Sequence, residues 1–216
     1  MLGKTGEPAR ELNRLDIKNR RALPGDVESR IIELLLAAWS AFDVLLVLDQ
    51  VSEPECGVIT SRVRDCLAGL AAQDPGKIIL VDSRERIGLF NNVWLKPNER
   101  ECLRDVGQTD DLHSAMKRLA QRVGRPVICT QSDKGMLVAD VDDEPREVPA
   151  YPVSGPIDSV GAGDSSSAAM ACALASGASL VEAAAFGNLI ASITIQQIGT
   201  TGTATPEQVR ERWRSI

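Results

Sequence analysis

Pro75-Gly76-Lys77-Ile78-Ile79-Leu80-Val81-Asp82 is the stretch on which the fold turns. Pro75-Gly76 breaks whatever precedes it, and an uninterrupted apolar run then ends at an acid. A strand with one wet face alternates apolar and polar residues, whereas a strand covered on both faces reads as a continuous run. The same form recurs at Val44-Leu45-Leu46-Val47-Leu48 before Asp49, at Val93-Trp94-Leu95 before Lys96, and at Val127-Ile128-Cys129 before Thr130. Helical spacing separates these runs. A helical stretch has apolar positions at Val58, Val63, Leu67 and Leu70, and Leu112, Met116 and Leu119 share one face of a later helix expected to be capped near Thr109 or Asp110. Strands joined by helical crossovers make a mainly parallel α/β sheet flanked by helices, a three-layer arrangement.

Other elements extend the pattern. Pro24-Gly25-Asp26 supplies a turn and an N-cap for a helix to about Ala38. Met136–Ala139 and Arg146–Val148 suit an antiparallel addition to the sheet. From about Gly163 to Gln197 the chain is Ala-rich and helical, with a break near Gly177-Ala178-Ser179, and Thr205-Pro206-Glu207-Gln208 opens a last helix. In open α/β sheets ligands collect beyond the carboxyl ends of the strands. Asp49, Asp82, Lys96-Pro97-Asn98 and Thr130 all follow strands directly, which gathers polar groups on one edge.

The composition, 44% apolar and 25% charged over 216 residues, is that of a globular domain. A net charge of −6 and 3% aromatics argue against a nucleic-acid partner, which needs a basic face and stacking rings. Five dispersed cysteines and the single His113 make no zinc constellation, and the cysteines read as free thiols in a cytoplasmic protein. The start lacks the apolar segment of a signal peptide, and Ile31–Leu48, broken by Glu33 and Asp43, reads as a helix then a strand, so no membrane span is expected. His113 is expected at the surface, and Trp39, Trp94 and Trp213 in packing. Residues 1–24 are basic and read as a solvated connecting segment, with an arm beside an anionic ligand as the alternative; residues 25–216 form the folded portion.

The chemistry concentrates in Ser159-Val160-Gly161-Ala162-Gly163-Asp164, which opens a helix. Glycines at a helix start let backbone N–H groups face an anion. An acid directly after such a nest repels the anion, and suits a general base that takes a hydroxyl proton. A helix-capping Asp164 is the competing reading. Gly3-Lys4-Thr5 has no room upstream for a P-loop, and Gly161-Ala162-Gly163 lacks the third glycine of a dinucleotide fingerprint.

Asp158-Ser-Val-Gly-Ala-Gly-Asp164 resembles the D-T-x-G-A-G-D signature of the ribokinase-like (PfkB) carbohydrate kinases. Asn98-Glu-Arg-Glu101 resembles that family's N-x-x-E motif, and Thr130-Gln-Ser-Asp-Lys-Gly135 its T-x-G-x-x-G loop. Glu11-Leu-Asn-Arg-Leu-Asp16 is similar to the heptose-kinase branch. The resemblance implies a ribokinase-like fold and ATP-dependent transfer to a sugar or sugar-phosphate hydroxyl. Asp164 would be the base, and the amides of Gly161, Ala162 and Gly163 the anion hole. Asn98 and Glu101 would organise phosphates and water-bound Mg²⁺. Thr130, Ser132 and Gly135 would line the nucleotide, with Lys134 on a phosphate or simply exposed, and Asn188 beside the adenine or packing a helix. Asp158 and Gly199–Thr203 would hold a monovalent cation such as K⁺.

Two departures stand out. Ser132 replaces a loop glycine, which alters backbone approach to the nucleotide. Residues 1–24 match none of the family's Gly-Gly acceptor element or lid strands, so those portions are expected to be missing, with homodimerisation or self-association as the consequence. The alternative to a competent kinase is therefore a truncated or non-catalytic nucleotide-binding module. A nucleotidyltransferase is disfavoured, since a lone histidine cannot supply an H-x-G-H motif.

Overall fold

The computed structural model describes residues 17–107 and 111–215. Its strands are β1 (Val44–Asp49), β2 (Ile78–Ser83), β3 (Trp94–Leu95), β4 (Val127–Thr130), β5 (Gly135–Ala139) and β6 (Arg146–Pro149), paired in that order in one sheet. β1 to β4 run parallel, while β5 and β6 add antiparallel, the addition that Met136–Ala139 and Arg146–Val148 suited. The helices are α1 (Gly25–Ala38), α2 (Ser61–Gln73), α3 (Glu99–Val106), α4 (Leu112–Val123), α5 (Ala162–Ala175), α6 (Leu180–Thr194) and α7 (Pro206–Arg214).

Successive strand residues point to opposite faces, and the continuous runs are divided accordingly. Ile79, Val81, Leu95, Val127 and Cys129 pack with Leu67, Met116 and Leu119 of α2 and α4. Leu80, Ile128, Met136 and Val138 pack with Met170, Leu174, Ala183 and Ala184 of α5 and α6. Two apolar layers thus enclose the sheet, which is why alternation is absent from these strands. The sheet brings the polar strand ends together on one edge. Lys96, 4% exposed, bonds Asp82 at 2.7 Å, while Asp49 is held by Arg86 at 2.8 Å and by Ser83 Oγ at 2.7 Å.

Several details differ from the sequence expectation. Gly25 to Ala38 is helical, but Pro24 occupies the N-cap and no side chain caps the turn. Val58 precedes α2 and is exposed, because Thr60 caps that helix by accepting from Val63 N–H. α3 was not foreseen: Glu99–Val106 is short and dominated by charge. α4 is capped by Asp111; Thr109 and Asp110 lie outside the described residues, as do Glu11–Asp16 and Gly3-Lys4-Thr5. Trp213, on α7, is 64% exposed and is no packing residue. His113 is exposed as expected, and all five cysteines are free thiols.

β1 ends the strand order, so its outer edge has no partner among the described residues. Leu48 is 44% exposed there, with Leu34 and Leu36 of α1 also exposed. Among the described residues no helix is long and apolar enough to cross a membrane.

Candidate active site

α5 begins where Gly161 takes a left-handed conformation, φ 78°, ψ 0°. A Cβ there would stand 2.5 Å from Thr201 Cγ2, so glycine answers both the dihedral and the close approach. The amide of Ala162 donates back to Ser159 O at 3.1 Å. Of the three amides expected in the anion hole, that of Ala162 is engaged in its own turn, whereas those of Gly161 and Gly163 donate to no described acceptor. Unpaired amides at a helix start, with the positive end of the helix dipole, favour an anion.

Asp164 stands at the third helical position and is exposed. The polar side chains at that position in α3, α6 and α7, namely Glu101, Glu182 and Gln208, all fold back onto their N-cap amides as capping boxes. Asp164 does not, and α5 has no side-chain cap at all. The capping reading of Asp164 therefore has no bond behind it, and the carboxylate is free of described partners.

Asp158 has a different task. Its Oδ1 accepts from Val160 N–H at 3.0 Å and its Oδ2 from Gly199 N–H at 2.8 Å, tying the signature loop to the turn after α6. These backbone donors hold its carboxyl below the ordinary carboxylate value. A lowered native pKa contributes stability that is present above the unfolded value and is lost as pH falls through the native one. Asp158→Asn should therefore flatten the acid limb of the stability profile below about pH 4, read by circular dichroism of unfolding across pH.

The N-x-x-E motif folds into a capping box. Asn98 Oδ1 accepts from Glu101 N–H at 2.9 Å, and Glu101 Oε2 accepts from Asn98 N–H at 2.9 Å. Burial raises the Glu101 carboxyl, Asp82 adds to this, and the Asn98 amide, Lys96 and Arg104 oppose it. A half-buried carboxylate with one oxygen outside the box suits a hard, oxygen-seeking, hydrated cation such as Mg²⁺. Among the described residues no cluster of three acidic, His or Cys side chains forms a direct metal cage.

A groove of about 770 Å³ brings most of the remaining candidates together: Asn98, Thr130, Ser132, Lys134, Gly135, Ala162, Gly163 and Asn188 all line it. Gly161, Asp164, Glu101 and Asp158 lie outside its wall. Ser132 adopts φ 56°, so serine keeps the left-handed turn of a glycine at a cost of about 1 kcal/mol and adds a Cβ. Lys134 is exposed and pairs with no described acid. Asn188 is 6% exposed, and its amide donates to Val148 O at 3.0 Å and Pro149 O at 3.1 Å. Its donors thus fasten α6 to the end of β6, the packing role, while the residue still borders the groove.

Sequence reading missed other lining residues. Arg100, exposed and without a described acidic partner, adds a second cation beside Lys134; its place inside the Asn98–Glu101 motif was the available signal. An adjoining cavity of about 460 Å³, sharing Ser132, Ser159 and Asn188, is walled by Tyr151, Pro152, Val153, Ile157 and Ile195. No local pattern marks those residues, which meet only through the fold. The combined cleft has cations at one end and apolar walls at the other.

Comparison with known proteins agrees with this geometry. Over 205 residues the chain is 31% identical to the bifunctional protein HldE of Pelobacter propionicus, covering 91% of this chain and 41% of that protein. It therefore spans about two-fifths of that relative's length. The structure superimposes on Escherichia coli phosphofructokinase-2 solved with potassium, with a TM-score of 0.70, 26% identity, and coverage of 90% of this chain and 63% of that one. An Arabidopsis thaliana ribokinase complexed with ribose and ATP shares the fold, with a TM-score of 0.65 at 19% identity, covering 88% and 59%. The family model for pfkB carbohydrate kinases matches residues 90–208, from just before β3 into α7, and takes in Asn98–Glu101, Thr130–Gly135 and Asp158–Asp164. With more than half its length inside that match, the chain belongs to the pfkB family of carbohydrate kinases.

Proposed function

We propose that this chain carries the nucleotide-binding and catalytic portion of an ATP-dependent carbohydrate kinase. The observation that carries the reading is Asp164: among the four helix starts with Asp, Glu or Gln at the third position, it alone leaves its side chain off the cap. There it accepts the proton of a sugar or sugar-phosphate hydroxyl as that oxygen attacks the γ-phosphorus. The Gly161 and Gly163 amides face the charge that develops on the transferred group, and catalysis is mainly positioning and electrostatics. Thr130, Ser132, Gly135, Lys134 and Arg100 line the phosphate end of the cleft. The Tyr151–Val153 wall and Asn188 take the base. Glu101, with Asn98, would hold hydrated Mg²⁺, which neutralises phosphate charge when bound. Asp158 and the Gly199 turn are the proposed place of a monovalent cation, with Asp158 already committed to two amides.

A second reading keeps nucleotide binding without transfer. It is favoured by the edge of β1, which has no partner among the described residues and carries exposed Leu48, and that edge is the surface to which homodimerisation or self-association is assigned. Titration calorimetry with ATP–Mg²⁺, followed by ATP turnover against a sugar and sugar-phosphate panel, separates the two. Saturable binding with turnover is expected. Binding without turnover selects the second reading, and no binding sinks both.

A further inference from the structure

Among the described residues, two side-chain oxygens are buried without a hydrogen-bonding partner: one carboxylate oxygen of Glu53 and the hydroxyl of Ser166. Ser166 is 2% exposed and belongs to the wall of the nucleotide groove, beside Ala162, Gly163 and Asn188. Its neighbours behave otherwise. Ser165 Oγ donates to Gly161 O at 3.0 Å or Ala162 O at 3.1 Å, and Ser167 Oγ donates to Gly163 O at 2.8 Å. Backbone bonding of this kind is the usual resort of a serine within a helix. Ser166 lacks it, and a buried hydroxyl left unsatisfied destabilises a fold, so it calls for a reason.

Space around this hydroxyl is kept by its neighbour. A Cβ at Gly187 of α6 would stand 2.9 Å from Ser166 Oγ and 2.8 Å from Met170 Cγ. Ala162 and Ser166 are four residues apart on α5 and share a helix face, the face that borders the groove. A turn between staggered rotamers moves Oγ without moving the helix.

We infer that Ser166 is a nucleotide-binding residue whose hydroxyl turns into the groove and donates to a phosphate oxygen of ATP. The inference rests on the nucleotide reading of the groove and adds a contact which none of the three motifs contains. A hydrogen bond to a charged phosphate is among the stronger kind, which is what compensates an unsatisfied hydroxyl in the free protein.

Ser166→Ala tests it by setting affinity against stability. Calorimetry with ATP–Mg²⁺, ADP and adenosine should show roughly tenfold weaker binding of both phosphorylated ligands and unchanged adenosine binding. The melting temperature should stay level or rise, because no protein partner is lost. ATP affinity within twofold of wild type overturns the inference, as does equal weakening of adenosine, which places the contact off the phosphates. A fall in melting temperature alongside weaker binding also overturns it, since the hydroxyl is then structural. If the wild-type chain itself binds no ATP, the nucleotide reading fails and takes this inference with it.

Discussion

Asp164→Asn is expected to lower kcat for phosphoryl transfer by roughly 10²–10⁴-fold, the usual share of a general base, while ATP–Mg²⁺ affinity stays close to wild type. Asparagine keeps the shape of the side chain and removes its ability to accept a proton. Because the native carboxylate has no hydrogen-bonding partner to lose among the described residues, the fold should not register the change. The contrast with Glu101 makes the argument specific. Glu101→Gln retains an oxygen for the Asn98 amide, whereas Glu101→Ala breaks a capping box and loosens α3. Loss of turnover with intact melting temperature and intact nucleotide affinity supports the assignment of Asp164. Unchanged turnover in an active preparation removes it.

The largest effect on stability is expected at Gly135. This residue starts β5 with φ 101° and ψ −126°, a region open to glycine alone. A Cβ there would lie 2.3 Å from Val148 O, 2.5 Å from Ala150 N and 2.7 Å from Pro149 C, all backbone atoms of the paired strand and its continuation. Backbone in a sheet cannot step aside as a side-chain tip can. Gly135→Ala should therefore destabilise by roughly 2–5 kcal/mol, combining dihedral strain with overpacking, and should displace the Thr130–Gly135 turn that borders the groove. Urea unfolding gives the magnitude. Gly69 provides the opposing control: it lies inside α2, exposed, and a Cβ added there would meet nothing within 4 Å. Gly69→Ala should stabilise by about 0.5–1 kcal/mol through helix propensity. Similar losses at both positions would contradict the close approach at Gly135.

Much of this was legible in the chain itself. Continuous apolar runs from Val44, Ile78 and Val127 named a doubly covered sheet because burial on both faces removes alternation. Thr205-Pro206 marked the start of α7 because an N-cap hydroxyl and a proline at N1 act locally. The polar strand ends gathered on one edge because parallel strands point the same way. α3 escaped notice because eight mostly charged residues carry little apolar periodicity, and Trp213 was misplaced because exposure depends on what lies beyond α7.

What the sequence determined by itself was the sheet, the helices other than α3, and the three motifs, all of which rest on local spacing and chirality. Only tertiary structure decided which groups of those motifs remain available. Ala162 gives its amide to Ser159, Asp158 gives its carboxylate to two backbone donors, and Asn188 gives its amide to the end of β6. Asp164 and Ser166 give nothing to the described protein. Gly199 and the end of β6 are distant in the chain and are brought to their partners by folding, and the bonds inside 158–162 depend on a turn conformation held in place by that packing, none of which residue spacing records.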